Sequence, residues 1–472
     1  MSLKRKIVSA SSWSVFGSLA NNMLRLISNV ILVQLLSPGD FGLMAIVMIF
    51  ILGSSLITDI GISSAVIRHE NGTEPWYLNT AWSLQVIQGI LIALMLCAIA
   101  GPIANYYDQP VLYLLICVAA LRPLIHGFRN VALIVAKKKL QQNKLETIHL
   151  IAQIGGMIGT ISIAYYNPSV WALVIGYIIN ATVFVLLSYA ILPSQNARYQ
   201  FNKKAFLDIF HYGKWIFVGS LLAFLANQSD RLVLSTLTTV EVLGIFSIAV
   251  LWSEILITVI KKISQSVFFP VLANAIHQGG EALAQSLEYR KILLIIVLPL
   301  NVLAIASITP FLRLIYPETY SDVGPIAAIL MFGGWVRAMY ITYVAVNMAT
   351  GKPKFMAYSS AVGIIIFFLI VFPLFEQFDV LGAAAAVAIC QLGMYAVVSQ
   401  GARIAGAAQF SIDLLYTIIF IITAIAALLA SIRMTEYGLP DLATLSILII
   451  TASLCFAILV KAVILPFYRQ AS

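Results

Sequence analysis

Charged residues are scarce in this chain, and their scarcity restricts its class. Only 10% of the 472 residues are Asp, Glu, Lys or Arg, whereas 61% are hydrophobic. A soluble globular domain carries about 25% charged residues, so a water-soluble fold is excluded. The excess of 28 basic over 19 acidic residues is typical of the orientation signal of a membrane protein and gives no reason to expect nucleic-acid binding.

Cysteines and catalytic motifs are also few. The four cysteines, Cys97, Cys117, Cys390 and Cys455, all lie within apolar runs and lack metal-ligand spacing, which argues against a disulfide framework or a metal site. The sequence has no G-x-x-x-x-G-K-[ST] motif, which argues against a built-in ATP-hydrolysing motor. No outside turn is long enough to fold over a sugar acceptor. We therefore expect no cofactor, no metal and no enzymatic activity.

Fourteen apolar runs of about 20 residues each predict an all-α polytopic membrane protein with 14 transmembrane helices. The runs lie at 9–36, 41–66, 79–104, 111–136, 146–165, 169–192, 215–236, 242–266, 292–315, 324–349, 356–375, 381–402, 413–431 and 442–465. The basic N-terminus precedes a run that is too long for a signal-peptide core, so we expect the first run to be a retained span.

The distribution of Lys and Arg indicates the orientation of these spans. With a cytoplasmic N-terminus, the inside segments hold 21 of the 28 basic residues and the outside turns hold two, Arg313 and Arg433. A missed or invented span would reverse every later loop and destroy this asymmetry. The positive-inside rule therefore predicts that both termini are cytoplasmic.

An internal repeat relates two parts of the chain. W-S-V-F-G-S-L at 13–19 matches W-I-F-V-G-S-L at 215–221, and the same offset of 202 residues continues to Gly42/Gly244. Six spans lie between the two copies, so both copies have the same orientation. We predict two parallel-repeat six-helix lobes around a central cavity. The predicted domains are an N-terminal lobe at 1–200, a C-terminal lobe at 201–405 and two additional helices at 406–472. Within 201–405, an interfacial helix over 201–212 is predicted to precede the first span of the lobe.

Eight charged residues are assigned to the interior of the membrane rather than to loops or span ends. A charge at the bilayer centre costs at least about 2.5–3.5 kcal/mol, so each must face a cavity or a partner. Because arginines outnumber carboxylates, we predict a cationic cavity suited to phosphate, which guanidinium groups bind with paired hydrogen bonds. The alternative is that these charges form ion pairs that hold helices together. The eight are Arg25, Arg122, Arg129, Arg231, Arg337, Asp59, Asp230 and Glu254.

Particular residues carry different expectations. Arg122, His126 and Arg129 have the spacing of one helical face, although Arg129 could instead extend to the inner membrane surface. We expect His126 and His149 to pack between helices rather than to carry protons. Asp59 and Glu254 are candidates for coupling to H⁺ or Na⁺, with a structural role as the alternative.

Three motifs carry a family resemblance. L-L-S-P-G-D-F-G-L-M-A at 35–45, D-I-G-I-S-S-A-V-I-R at 59–68 and N-Q-S-D-R-L-V-L-S at 227–235 resemble the polysaccharide transporter (PST, Wzx-like) flippase family. That family belongs to the multidrug/oligosaccharidyl-lipid/polysaccharide (MOP) superfamily, and the resemblance covers the whole chain. It implies a flippase that translocates undecaprenyl-pyrophosphate-linked oligosaccharide or polysaccharide repeat units across the bacterial cytoplasmic (inner) membrane by alternating access.

The resemblance also implies a site and partners. It places Arg25, Asp59, Asp230 and Arg231 at or near the central cavity. With the intramembrane charges, this gives a predicted substrate-binding set of Arg25, Arg122, Arg337, Arg231 and Asp230. The implied partners are the lipid-linked oligosaccharide and membrane lipids, with a polysaccharide polymerase and chain-length machinery as further candidates.

Two other functions compete with the flippase. One is a multidrug antiporter of the same superfamily that exports organic cations, which would need unpaired carboxylates in its cavity. The other is a scaffold for a polymerase complex, which would need no charged cavity. Without an ATPase, transport would be driven by an ion gradient, by the membrane potential or by removal of the product.

Overall fold

Helices are the dominant secondary structure of this chain. The computed structural model describes residues 3–58, 62–193, 198–269, 271–272, 280–437 and 439–459, and these residues contain no strand. A π-helical turn, Ser264–Phe268, follows α11, and a 3₁₀ turn, Glu318–Tyr320, precedes α13. The α-helices are α1 Leu3–Val33, α2 Pro38–Thr58, α3 Ile62–Arg68, α4 Pro75–Tyr106, α5 Val111–Ala119, α6 Leu121–Gly127, α7 Ala132–Lys138, α8 Gln142–Tyr166, α9 Val170–Ile191, α10 Lys203–Leu237, α11 Val240–Ile263, α12 Gly280–Ile315, α13 Val323–Ala349, α14 Lys354–Ile404, α15 Phe410–Glu436 and α16 Asp441–Leu459.

The helices have the length and composition of membrane spans. Within the described ranges, nine are long and apolar enough to cross a membrane, and a bent pair formed by Val111–Gly127 and Ala132–Lys138 makes up to ten. This confirms a multi-pass, all-helical membrane protein. Each of the fourteen predicted runs contains helix, but α2 and α16 have shorter apolar stretches, Pro38–Ser54 and Asp441–Ile450. The count of fourteen stays a prediction.

Helix α14 contains two of the predicted runs. It is 51 residues long, and its backbone leaves helical geometry at Asp379, where φ is 53° and ψ is −135°. A left-handed φ is uncommon for a residue with a side chain, and here it marks the point at which the helix is interrupted. That point falls in the turn predicted between the runs 356–375 and 381–402.

The residues group into two compact units, Met1–Gly244 and Ile245–Ser472. In the first unit α8 packs against α1 and α9, while α4 packs against α5 and α6. Its core near α4 contains fully buried Tyr77, Leu78 and Ala81. Helix α10, which belongs to the predicted second domain by sequence, packs along α2 in this first unit.

The second unit is built around α12 and α13. Helix α13 packs against α12 and α14, and α12 also contacts α15 and α16. Tyr343, Val346 and Val398 are fully buried in its core. The last two helices are therefore packed into this unit by contacts with α12.

The first turns of α10 correct one expectation. Residues 201–212 were expected to form a separate interfacial helix, but α10 runs without a break over 35 residues. The side chain of Asn202 caps its start by accepting hydrogen bonds from the backbone of Lys204 and Ala205. Further along, Asp208 accepts hydrogen bonds from Arg68 at 3.1 Å and from Tyr77 at 2.7 Å. These bonds attach the start of α10 to α3 and α4.

The starts of α2 and α11 meet through two glycines. A Cβ atom at Gly42 would overlap the carbonyl oxygen of Val240, and one at Gly244 would overlap the carbonyl oxygen of Pro38. The repeat offset relates Pro38 to Val240 and Gly42 to Gly244, so each contact is the counterpart of the other. Glycine is needed at both positions because the backbones approach so closely.

Candidate functional site

The fourth predicted span is broken, and the break positions two basic side chains. Helix α6 ends at Gly127, and α7 leaves at an angle of 62° after residues 128–131. Arg129 therefore lies in the break, so the prediction that it shares a helical face with Arg122 and His126 was wrong. At the break α6 lies against α4, where the space around Gly89 is closed by the backbone of Gly127.

Polar side chains make this break tolerable in a membrane. The amide of Gln85 donates hydrogen bonds to the carbonyl oxygens of Gly127 and Arg129, each at 3.0 Å. The backbone N–H of Asn130 donates to Ser188 Oγ at 3.1 Å, and Asn130 Oδ1 accepts from the N–H of Ala132 at 2.9 Å. Backbone groups left without partners at this depth would each cost several kcal/mol. Side chains of α4, α9 and the break itself therefore satisfy these backbone groups and stabilise the break.

Arg122 on α6 is held by an aromatic ring of α9. Its Cζ atom lies 3.8 Å from the centroid of the Tyr177 ring, a cation–π geometry. Its Nε is buried without a hydrogen-bond partner, and within the described part of the chain its guanidinium makes no ion pair. The side chain is therefore positioned without consuming its N–H donors, which is what a ligand-binding arginine requires.

Arg337 has a different environment. Its Nη1 forms an ion pair with Glu254 Oε1, and the two side chains are 30% and 34% exposed. The sequence assigned these residues to two separate roles, substrate binding and ion coupling. The structure brings them together as partners, the arrangement that the helix-pairing alternative describes.

The other predicted site residues lie on α1 and α10 or outside the described residues. Arg231 Nη1 donates to Gln228 Oε1 at 3.2 Å, while its backbone N–H donates to Asp230 Oδ1 at 2.8 Å. Arg25 lies at an exposed position of α1. Asp59 lies outside the described residues. No three His, Cys, Asp or Glu side chains are grouped as metal ligands in the residues that the structure describes.

Sequence reasoning missed the most deeply buried ion pair of the second unit. Arg290 Nη1 lies 2.7 Å from Asp413 Oδ1, and the two side chains are 0% and 3% exposed. The distribution of basic residues placed Arg290 in an inside segment, and Asp413 was assigned no role. The available signal was that Asp413 is the only acidic residue between Asp379 and Glu436.

Two tyrosines complete this network. The hydroxyls of Tyr343 and Tyr395 both donate to Asp413 Oδ2, at 2.6 and 2.8 Å. Arg290 Nε donates to Thr342 Oγ1 at 2.9 Å, and the Arg290 guanidinium lies 4.0 Å from the Tyr343 ring centroid. The network joins α12, α13, α14 and α15. The sequence analysis predicted α15 as one of the two additional C-terminal helices. The network attaches α15 to the second unit through Asp413.

A family model now identifies the chain. The model described as "Polysaccharide biosynthesis protein" matches residues 31–325, which is more than half of the sequence. The chain belongs to this family. Its match covers most of the first unit, including α6 and α9, and the start of the second, so the polysaccharide resemblance is confirmed.

Similar proteins agree with this membership. The lipopolysaccharide biosynthesis protein WzxC of Escherichia coli (strain K12) is 22% identical over 342 residues, covering 72% of this chain and 69% of WzxC. The lipid II flippase MurJ, in an inward closed conformation, superposes with a TM-score of 0.76 at 14% identity, covering 97% of this chain and all of MurJ. An inward-facing multidrug resistance MATE transporter of the MOP superfamily gives 0.63 at 13% identity, covering 86% and 95%. At these identities the structural matches show a shared fold.

Proposed function

We propose that this protein is a flippase that translocates lipid-linked oligosaccharide or polysaccharide repeat units across the bacterial cytoplasmic membrane. The observation that carries the proposal is Arg122, a guanidinium within a span that is stacked on Tyr177 and forms no ion pair in the described residues. In a chain of the polysaccharide biosynthesis family, the anion for such a site is the diphosphate that joins glycan to lipid. Guanidinium groups bind phosphate oxygens through two parallel hydrogen bonds.

The relatives support the substrate class. WzxC is named for lipopolysaccharide biosynthesis, and MurJ is a flippase for lipid II. A lipid-linked glycan has a charged head that must cross the hydrocarbon layer and a tail that can stay in lipid. The protein therefore has to bind the head and not the tail.

The proposed architecture has fourteen transmembrane helices and cytoplasmic termini. It consists of two six-helix lobes related by the repeat, plus the two last helices, and it works by alternating access. In this proposal Arg25, Arg122, Arg231 and Arg337, with Asp230, serve the substrate. Asp59 and Glu254 would couple transport to H⁺ or Na⁺, and a polysaccharide polymerase with its chain-length machinery would receive the product.

The competing function is export of organic cations, as in the MATE transporters that share the fold. A cation exporter needs intramembrane carboxylates that can bind its substrate or its coupling ion. Glu254 and Asp413 are both in ion pairs with arginines. These two carboxylates are compensated by arginines, whereas Nε of Arg122 and Nε of Arg231 are buried without a hydrogen-bond partner, which favours an anionic substrate.

Export of surface polysaccharide in a transporter-null strain tests the proposal. Replacing Arg122 with Ala should reduce export about tenfold or more, since hydrogen bonds to a charged group contribute about 1.5–3 kcal/mol each. Arg122→Lys should restore part of the export because it keeps the charge without the planar fork. The matched control is Arg313→Ala, which removes an exposed arginine in the last turn of α12.

The amount of protein in the membrane separates function from folding. It should be normal for Arg122→Ala, whereas Arg337→Ala leaves Glu254 without its partner and could lower it. Full export by the Arg25, Arg122 and Arg337 triple Ala variant at a normal protein level would contradict the cationic-site mechanism. Loss of protein in every variant would favour a structural role for these arginines.

A further inference from the structure

Polar and aromatic side chains of α6, α8 and α9 contact one another in a row within the first unit. This row, called the ladder below, consists of Arg122, Tyr177, Asn180, Gln153, His126, Phe184 and His149. Arg122 lies over Tyr177 at one end. One turn further along α9, Asn180 Nδ2 contacts Gln153 Oε1 at 3.5 Å. These side chains lie near the middle of α9, Val170–Ile191, and therefore near the middle of the membrane. Ionisable residues at that depth usually serve function.

The other end of the ladder holds two histidines on one phenylalanine. The His126 ring stacks on Phe184 with centroids 5.2 Å apart, and the His149 ring contacts the same phenylalanine at 4.8 Å. His126 Nε2 is buried without a hydrogen-bond partner. Arg122 and His126 are four residues apart on α6, so their side chains are neighbours on one face. Arg122 Nε and His126 Nε2 are thus two unpartnered buried nitrogen atoms in one place.

On α8 the polar side chains of the ladder lie on a different face from the exposed isoleucines. On α8 the exposed isoleucines are Ile151, Ile154 and Ile158. His149 and Gln153 lie about 150° around the helix from that stripe, at about 100° per residue. His149 is nevertheless exposed, and Gln153 is half-buried. A polar face that is partly open and points away from the lipid stripe is accessible to a polar ligand.

The charges around the histidines are almost entirely basic. Helices α4, α5 and α9 contain no Asp, Glu, Lys, Arg or His, and α8 contributes Lys144 and Glu146 besides His149. Two further helices pack on α8: α7 carries Lys137 and Lys138, and α1 carries Lys4, Arg5, Lys6 and Arg25. Arg129 follows α6, and the tyrosine facing this group is Tyr177. Glu146 accepts a hydrogen bond from Gln142 and lies against Gly17 of α1, one turn before His149. An anion placed beside Arg122 would therefore meet basic groups with few competing carboxylates.

We propose that Arg122, His126 and His149 form a subsite for the diphosphate of the lipid-linked substrate, and that substrate binding is coupled to proton uptake by the two histidines. A protonated imidazole donates from both ring nitrogens and adds a positive charge, so it binds an anion better than a neutral one does. Binding and protonation must then favour each other to the same extent. The inference rests on the proposed function and adds to it a binding group and a coupled ion.

The test is the pH dependence of binding by the full-length protein in detergent. The probe is a short-chain polyprenyl-diphosphate-linked N-acetylglucosamine, a diphosphate diester whose own charge is constant between about pH 6 and about pH 8, the range in which histidine titrates. Wild-type affinity should be about tenfold or more higher at the lower pH. His126→Gln with His149→Gln should remove this dependence, and Arg122→Gln should weaken binding at both pH values. The matched control, His69→Gln, removes a histidine at the end of α3 and should keep the wild-type dependence.

A second measurement uses only the wild-type protein, so it does not depend on the variants folding. Calorimetric titration in two buffers that differ in ionisation enthalpy reports the protons taken up on binding, and we expect uptake at about pH 7. Equal affinity at both pH values, or no proton uptake, would overturn the histidine linkage and leave the flippase proposal standing. No binding of the probe at either pH would overturn both. Retention of the full pH dependence by the folded double-histidine variant would assign the proton to other groups.

Discussion

At the scale of single residues, the structure separates two kinds of intramembrane arginine. Arg290 is completely buried and bound to Asp413, Thr342 and the ring of Tyr343, so its charge is compensated within the protein. Arg122 rests on Tyr177 and makes no hydrogen bond in the described residues. The sequence predicted the importance of Arg122 from its depth in an apolar run. It could not reveal the partner of Arg290, because that partner comes from a distant helix.

The Arg290–Asp413 pair gives a prediction about stability. Asp413→Asn should destabilise the protein by about 3–5 kcal/mol, because it leaves a buried guanidinium uncompensated. The measurement is the apparent melting temperature in detergent. Replacing both residues, as Arg290→Met with Asp413→Leu, should recover part of the loss, because it removes both buried charges.

The neighbouring pair of Lys291 and Glu288 provides the control. Its side chains are 26% and 44% exposed, and exposed ion pairs contribute about 0–1 kcal/mol. Glu288→Gln should therefore leave the melting temperature almost unchanged. If the Asp413→Asn variant has the same melting temperature as the wild-type protein, the network does not hold α15 in place.

At the scale of helices, the apolar runs predicted where helices lie but not where they bend. The turn between the two halves of α14 was predictable, because Glu376 and Asp379 interrupt an apolar sequence. The break after Gly127 was not, because its stabilising groups, Gln85 and Ser188, lie on other helices. The same limit applies to α10, where Asp208 binds side chains from α3 and α4.

The break predicts that Gln85 matters more than its position in an apolar helix suggests. Gln85→Leu would leave the carbonyl oxygens of Gly127 and Arg129 without this donor, and each unsatisfied buried group costs about 1–3 kcal/mol. We expect a lower melting temperature in detergent and reduced export, since the break positions Arg122 and His126. Gln88→Leu, one turn away on α4, is the matched control because Gln88 makes no hydrogen bond in the described residues. Equal effects of the two substitutions would contradict this prediction. They would show that losing any polar side chain from this part of α4, rather than losing the hydrogen bonds to the break, lowers the melting temperature and export.

At the scale of the whole molecule, composition and the repeat predicted more than any single motif. Low charge and long apolar runs determined the all-helical membrane class, and the motifs near Pro38 and Asp230 pointed to the family that the chain belongs to. The repeat places Gly42 and Gly244 in equivalent positions, and these glycines meet through reciprocal contacts. A hydrophobic pattern cannot predict which helices touch, because lipid-facing and helix-facing apolar residues look alike in sequence.

The last prediction concerns topology, because the direction of transport depends on it. Of the 23 Lys and Arg residues assigned to loops and span ends, 21 lie on one side when fourteen spans are counted, so we expect both termini in the cytoplasm. Single cysteines at Asp108, Glu376 and Glu436, introduced after replacing the four native cysteines, should react with a membrane-impermeant maleimide in intact cells. All three positions are exposed. Cysteines at Lys139 and Lys352 should react only after the membrane is permeabilised. Because each span reverses the side of every later loop, protection of Glu436 with labelling of Asp108 would place the error in the count between α5 and α15.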